Sequence, residues 1–192
     1  MKRSRVTIRS RKVNKLTAIL ALDLATTTGW ALYSEGMQRP FFGALRLPPS
    51  PQEVGLPMEK LRQFLADQHR MHNLTDIVFE AQHVSARMSM DTVYKLIALG
   101  GMVEWFAHRI GVTPYKVMIS EWRRHFLGRG ANFGKDNPKE LAIQQCATFG
   151  WFTNVADAAE ACGILDYHMA NMEQAGAKIS RPWRDATLMK LR

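Results

Sequence analysis

Four carboxylates stand where they can act together: Asp23 in "ALDLATTTGW", Glu80 in "DIVFEAQ", and Asp157 and Glu160 in "NVADAAEACGI". Asp23 and Glu80 each close an apolar run, where an unpartnered acid costs several kcal/mol to take out of water. Asp157 and Glu160 are spaced i, i+3, which makes them neighbours on one face of a helix. Four acids gathered at one place repel unless cations lie between them, and hard divalent ions such as Mg²⁺ favour oxygen ligands. Two such ions about 4 Å apart stabilise both the attacking and the leaving oxygen of a phosphodiester. Taken singly, each acid also fits an ordinary place, a strand-end turn or a solvated helix face. Asp166 lies about half a turn out of phase with Asp157 at roughly 100° per residue. It faces away and is left out of the set.

The elements that must position these acids follow from the pattern of apolar residues. Residues 16–24 read as a buried strand. "GWALYSEG" and "RPFFGALRL" read as two more, joined through a hairpin-like turn at Glu35–Gly36. Val54, Met58, Leu61, Phe64 and Leu65 recur at helical spacing over 52–72. A fourth strand covers 75–80, a long helix 90–110 and a fifth strand 113–119, and Ser120 is a plausible N-cap for the short helix "EWRRHFL". Helices beginning near Pro138 and running over 155–173 complete the chain. Strands followed by alternating strand and helix predict a mixed sheet covered by helices, one α/β domain. Ala156, Ala158, Ala159 and Ala161 allow the last helix to lie close to the sheet.

Charge divides the 192 residues unevenly. The net charge is +9, yet residues 1–15 hold seven bases and no acid, and residues 16–170 carry one net negative charge. The reading is a basic arm (1–15), a domain (16–173) and a basic tail (174–192). Such an arm suits contact with phosphate backbones, or serves only as a solvated extension. No run of 18 apolar residues occurs, so no membrane span is expected. The apolar stretch behind the arm is short and holds Asp23, which argues against a secretion signal. Cys146 and Cys162 lack metal-ligand spacing and fit reduced thiols, which with no signal points to a cytoplasmic protein.

A second group of bases lies nearer the acids. Arg123, Arg124 and Arg129 surround a glycine-containing loop, and Lys135 and Lys139 flank the next helix start. They suit backbone phosphates or a solvated surface. Trp122 and Phe133 among them can stack on exposed bases or anchor core and loop. His69 and His72 read as surface residues. The helix over 90–110 is broadly apolar, and Gly100–Gly101 permits close approach of another backbone, either in the core or across a dimer.

"LALDLATTTGWAL", "DIVFEAQ" and "ADAAEACGI" resemble the three acidic motifs of RuvC-like Holliday-junction resolvases, within the ribonuclease-H-like fold. The resemblance spans roughly 16–170. It implies a mixed five-stranded sheet, a homodimer, Mg²⁺ or Mn²⁺, and paired nicks in branched DNA at a four-way junction. It matches Asp23, Glu80, Asp157 and Glu160 to the catalytic, metal-holding acids, and Lys139, with Lys135 second, to a lysine at a helix start. Glu160 stands where relatives usually have Asp. "EAQHVSARM" lacks the aromatic many members place after the Glu to wedge into the junction, so that either His83 or Val84 would have to serve or that role is absent. These departures and the arm resemble a viral or prophage relative. The competing readings are a structural DNA-binding protein without turnover, a flap or fork nuclease, and a phosphate site like that of actin-like ATPases, for which the chain lacks the length and a second phosphate loop.

Overall fold

The computed structural model describes residues 16–49, 53–82 and 88–184. In chain order the elements are β1 (Ala18–Asp23), β2 (Thr27–Ser34), β3 (Phe41–Arg46), α1 (Gly55–His72), β4 (Asp76–Glu80), α2 (Met90–Arg109), β5 (Pro114–Val117), α3 (Ile119–Leu127), α4 (Pro138–Thr148) and α5 (Ala156–Gln174). Among the described residues the strands form one five-stranded sheet in the order β3-β2-β1-β4-β5. β1 to β3 form an antiparallel meander, whereas β1, β4 and β5 run parallel. The mixed α/β sheet agrees with the expectation from sequence.

Alternation along the strands sends successive side chains to opposite faces. Leu20, Leu22, Leu32, Ile77 and Phe79 pack with Leu61, Leu65, Leu99, Val103 and Phe106 under α1 and α2. Ile19, Ala21, Ala31, Tyr33 and Val78 pack on the other face, with Trp122, Phe126, Cys146, Cys162 and Leu165 from α3, α4 and α5. The same alternation carries Asp23, two after Ala21, and Glu80, two after Val78, to the α5 face. β1 is the middle strand and its first five residues are buried.

α5 runs through this second layer, buried from Ala158 to Asp166 without a break. Its contact with the sheet depends on absent side chains. A Cβ on Gly29 would lie 1.9 Å from the Asp157 carbonyl oxygen, and one on Gly163 would lie 2.8 Å from the Trp122 ring. The first glycine seats α5 on β2, and the second makes room for α3.

Two sequence expectations need correction. α3 begins at Ile119 after Met118, so Ser120 lies inside the helix. Glu121 closes this end by accepting the Met118 N–H at 3.2 Å. The segment read as a basic tail is packed down as far as Arg184: Trp183 is buried in the α5-side core, 5.0 Å from the Trp151 ring. The arm, 1–15, and the proposed wedge position, His83 or Val84, lie outside the described residues.

Candidate metal centre

β1 and β4 deliver the first two acids to one end of the sheet. Leu22 pairs with Phe79, and Asp23 and Glu80 each stand one residue beyond that pair. Across the antiparallel edge Asp23 pairs with Gly29, the residue on which the first turn of α5 rests. That contact brings Asp157 and, one turn on, Glu160 over Asp23. One carboxylate oxygen from each of Asp23, Asp157 and Glu160 lies within 4.8 Å of the other two. Glu80 stands outside this triplet, and its Oε2 accepts the Trp122 indole N–H at 2.7 Å.

Lys139 and Arg123 enter the same cluster. Asn137 caps α4, its Oδ1 accepting the Lys139 N–H at 3.0 Å, and Pro138 occupies the first turn. Lys139, fixed there, extends Nζ to 2.6 Å from Asp157 Oδ1 and 3.5 Å from Glu160 Oε2. Arg123 donates to Glu160 Oε1 at 2.8 Å. Its guanidinium lies 5.3 Å from the Trp122 ring centroid and 5.8 Å from that of Phe133. Glu160 is only 4% exposed, and both its oxygens face protein cations.

The electrostatics are those of a site short of positive charge. Burial pushes the Asp23 carboxyl well above the usual carboxylate range, and the Glu160, Glu80 and Asp157 charges push it further, opposed by Lys139. Burial works against the Lys139 ammonium, but the Asp157 hydrogen bond and the Glu160, Asp157 and Asp23 charges outweigh it and raise its pKa. Carboxylate oxygens this close, with an acid that resists ionisation among them, are the donor set that a hard divalent cation relieves. The residues fit such an ion.

The remaining sequence candidates divide. Arg129 is tied to Asp136 and lies 5.2 Å from the Phe133 ring centroid, and Arg124 and Lys135 are exposed. Trp122 is fully buried, which removes it as a stacking platform and leaves the core reading. Sequence reasoning missed its bond to Glu80, because no spacing rule links residues 42 apart. It also missed an open groove of ≈ 760 Å³ beside Glu80, lined by Thr26, Gln82, Asp91, Thr92 and Lys95 among others. Lys95 Nζ lies 3.4 Å from Thr26 Oγ1. Nothing marks Lys95 in sequence, where it is one polar residue in an apolar helix.

Asp166 does face away from Asp157, as the helix phase predicts, but it is not a bystander. It is fully buried and accepts from the Trp183 indole N–H at 2.7 Å. His125 Nε2 lies 2.8 Å away, and Arg184 also pairs with it. Asp166 therefore ties residues 181–184 to α5.

The chain's overall form matches solved structures. Thermus thermophilus RuvC aligns with a TM-score of 0.60 at 17% identity, covering 83% of this chain and 97% of that one. The fold is RuvC-like. T. thermophilus RuvC in complex with a Holliday junction substrate aligns with a TM-score of 0.63 at 16% identity, over 83% and 96% of the two chains. The yeast mitochondrial Holliday junction resolvase aligns at 0.55 and 11% identity, over 84% and 85%. No protein-family profile and no curated protein matches the chain.

Proposed function

We propose that the protein is a divalent-cation-dependent endonuclease that cuts branched DNA, resolving four-way junctions by paired nicks. The observation that carries this reading is the Asp23, Asp157 and Glu160 triplet, with oxygens within 4.8 Å of one another. It sits in a fold also found in RuvC bound to a Holliday junction substrate. Asp23, Asp157 and Glu160, with Glu80 at their edge, would hold Mg²⁺ or Mn²⁺. When bound, such ions supply Lewis-acid charge and a water activated for attack on phosphorus. Asp23 and Glu80 are set by the sheet and Asp157 and Glu160 by α5, so the acids need little rearrangement. Lys139 and Arg123 hold the acids now, and both would lend positive charge to a scissile phosphate bound there. Lys135, Arg124 and Arg129 would contact backbone phosphates further out.

Two nicks related by symmetry call for two copies, and α2 offers a face for the second. Its outer positions 90, 94, 97, 101 and 105 are exposed and carry Met, Tyr, Ile, Gly and Trp. A solvated helix face would carry charges instead. Among the described residues no helix is long and apolar enough to cross a membrane.

A non-catalytic DNA-binding protein has one observation in its favour: Lys139 and Arg123 already pair with Asp157 and Glu160. Cleavage of synthetic four-way junction, flap and duplex DNA, with and without Mg²⁺, separates the readings. Symmetric Mg²⁺-dependent nicks in the junction are expected. Tight junction binding with no cleavage in Mg²⁺ or Mn²⁺ would favour the non-catalytic protein.

A further inference from the structure

Three of the acids differ in what holds them. Asp157 and Glu160 are gripped by the cations Lys139 and Arg123. Glu80 is gripped by a neutral donor, the Trp122 indole N–H, at 2.7 Å. That donor is placed with unusual firmness. Trp122 is fully buried, and its ring lies against Gly163, where even a methyl group would come within 2.8 Å. α3 is also fixed by Arg123, the next residue, through its bond to Glu160.

A buried tryptophan usually finds a partner for its N–H. Most partners in a core are backbone carbonyls, which a packing role alone would satisfy. Here the partner is the carboxylate that ends β4. Phenylalanine would fill part of the same space and leave a gap, and it donates nothing. The hydrogen bond commits one Glu80 oxygen and so restrains the rotation of the carboxylate about its last bond.

We propose that Trp122 is a positioning residue for the metal centre, its indole N–H orienting the Glu80 carboxylate for a divalent cation. The proposal rests on the reading of Glu80 as a cation ligand. Hydrogen bonds to metal-ligating carboxylates commonly change metal affinity by about 10- to 100-fold.

The test is calorimetric titration of the full chain with Mn²⁺, without DNA, for wild type, Trp122→Phe, Glu80→Gln and the double variant, with thermal unfolding of each. Trp122→Phe is expected to weaken Mn²⁺ binding by about 10-fold or more. In the Glu80→Gln background the same change should have no further effect, because the group it orients is gone. Unchanged affinity in Trp122→Phe, with Glu80→Gln weakened, would overturn the positioning role alone. Additive losses in the double variant would do the same, since they mark a packing effect. Unchanged affinity in Glu80→Gln would instead overturn the ligand reading on which the proposal rests. Should Trp122→Phe fail to fold, the indole ¹H–¹⁵N resonance of Trp122 decides. It is expected to move upfield in proton shift in Glu80→Gln, and a resonance that stays put would refute the orienting bond.

Discussion

At the scale of single residues, the site turns on acids whose charges oppose one another and on the few groups that offset them. Asp23 ends the middle strand β1, and Asp23→Asn is expected to reduce single-turnover junction cleavage about 10³-fold or more, the equivalent of roughly 4 kcal/mol of lost charge stabilisation. Junction affinity, which Lys and Arg would supply, should stay within a few-fold by gel shift. Glu160 faces both Arg123 and Lys139. Glu160→Gln should lose most activity, and Glu160→Asp should keep a substantial part across a Mg²⁺ titration. Asp166 is read through stability instead. Burial opposes its ionisation, but hydrogen bonds from His125, Arg184 and Trp183 win and hold its pKa well below the usual value. A depressed carboxylate pKa contributes stability above the unfolded value of about 4, lost as pH falls toward the folded one. Asp166→Asn should therefore cost about 3 kcal/mol near neutral pH. It should also flatten the decline of stability below about pH 4, measured by urea unfolding at stepped pH. The acids themselves were legible in sequence because each carboxylate breaks or ends an apolar pattern. The Trp122–Glu80 and Trp183–Asp166 bonds were not, because their partners lie 42 and 17 residues apart in the chain and no local spacing encodes such contacts.

At the scale of elements, the site exists because α5 lies unusually close to β2. The sequence shows the small residues of α5 and places its start within a residue, at 155 against the observed Ala156. It does not show which strand face the helix covers. β1 and β4 are central and buried on both faces, so their residues form continuous apolar runs without the alternation that would reveal a face. Strand order was accessible through the hairpin at Glu35–Gly36 and the strand–helix–strand units, which leave few arrangements. Gly29 carried no signal, since one glycine after three threonines reads as a turn, yet it pairs with Asp23 and underlies Asp157. Gly29→Ala should force the first turn of α5 off the strand and move Asp157 and Glu160 relative to Asp23. Displacements of about 1 Å in such a site cost on the order of 10²-fold in rate. The expected result is a loss of cleavage of that size with Mn²⁺ binding weakened in parallel. A variant that kept wild-type cleavage would show that the seating of α5 on Gly29 does not set the site.

At the scale of the whole molecule, the question is how a domain with little net charge of its own would hold a polyanion in register for two cuts. Residues 16–170 carry one net negative charge, so most of the excess positive charge lies at the two ends of the sequence. The acidic site would repel DNA unless bases around it and an ion within it compensate. A dimer joined through α2 would present two such sites together. Ile97, exposed in the middle of that face, is the place to break it. Ile97→Glu would put two like charges against each other in such a dimer while touching no buried core. It should shift the protein to monomer by light scattering at micromolar concentration. Each strand should still be nicked, but the two nicks should lose their coupling, so that singly nicked junctions accumulate. The seven bases of residues 1–15 act on a different quantity. If they meet phosphates, their removal lowers the number of counterions released on binding. The slope of log affinity against log salt then falls by nearly one for each phosphate the arm had neutralised. Deleting 1–15 should thus weaken junction binding most at low salt and reduce that slope by several units, leaving the dimer and the Mg²⁺ dependence of cleavage unchanged. An unaltered slope would show that the arm does not touch the phosphates, and affinity would then have to come from Lys135, Arg124, Arg129 and their neighbours on the folded domain.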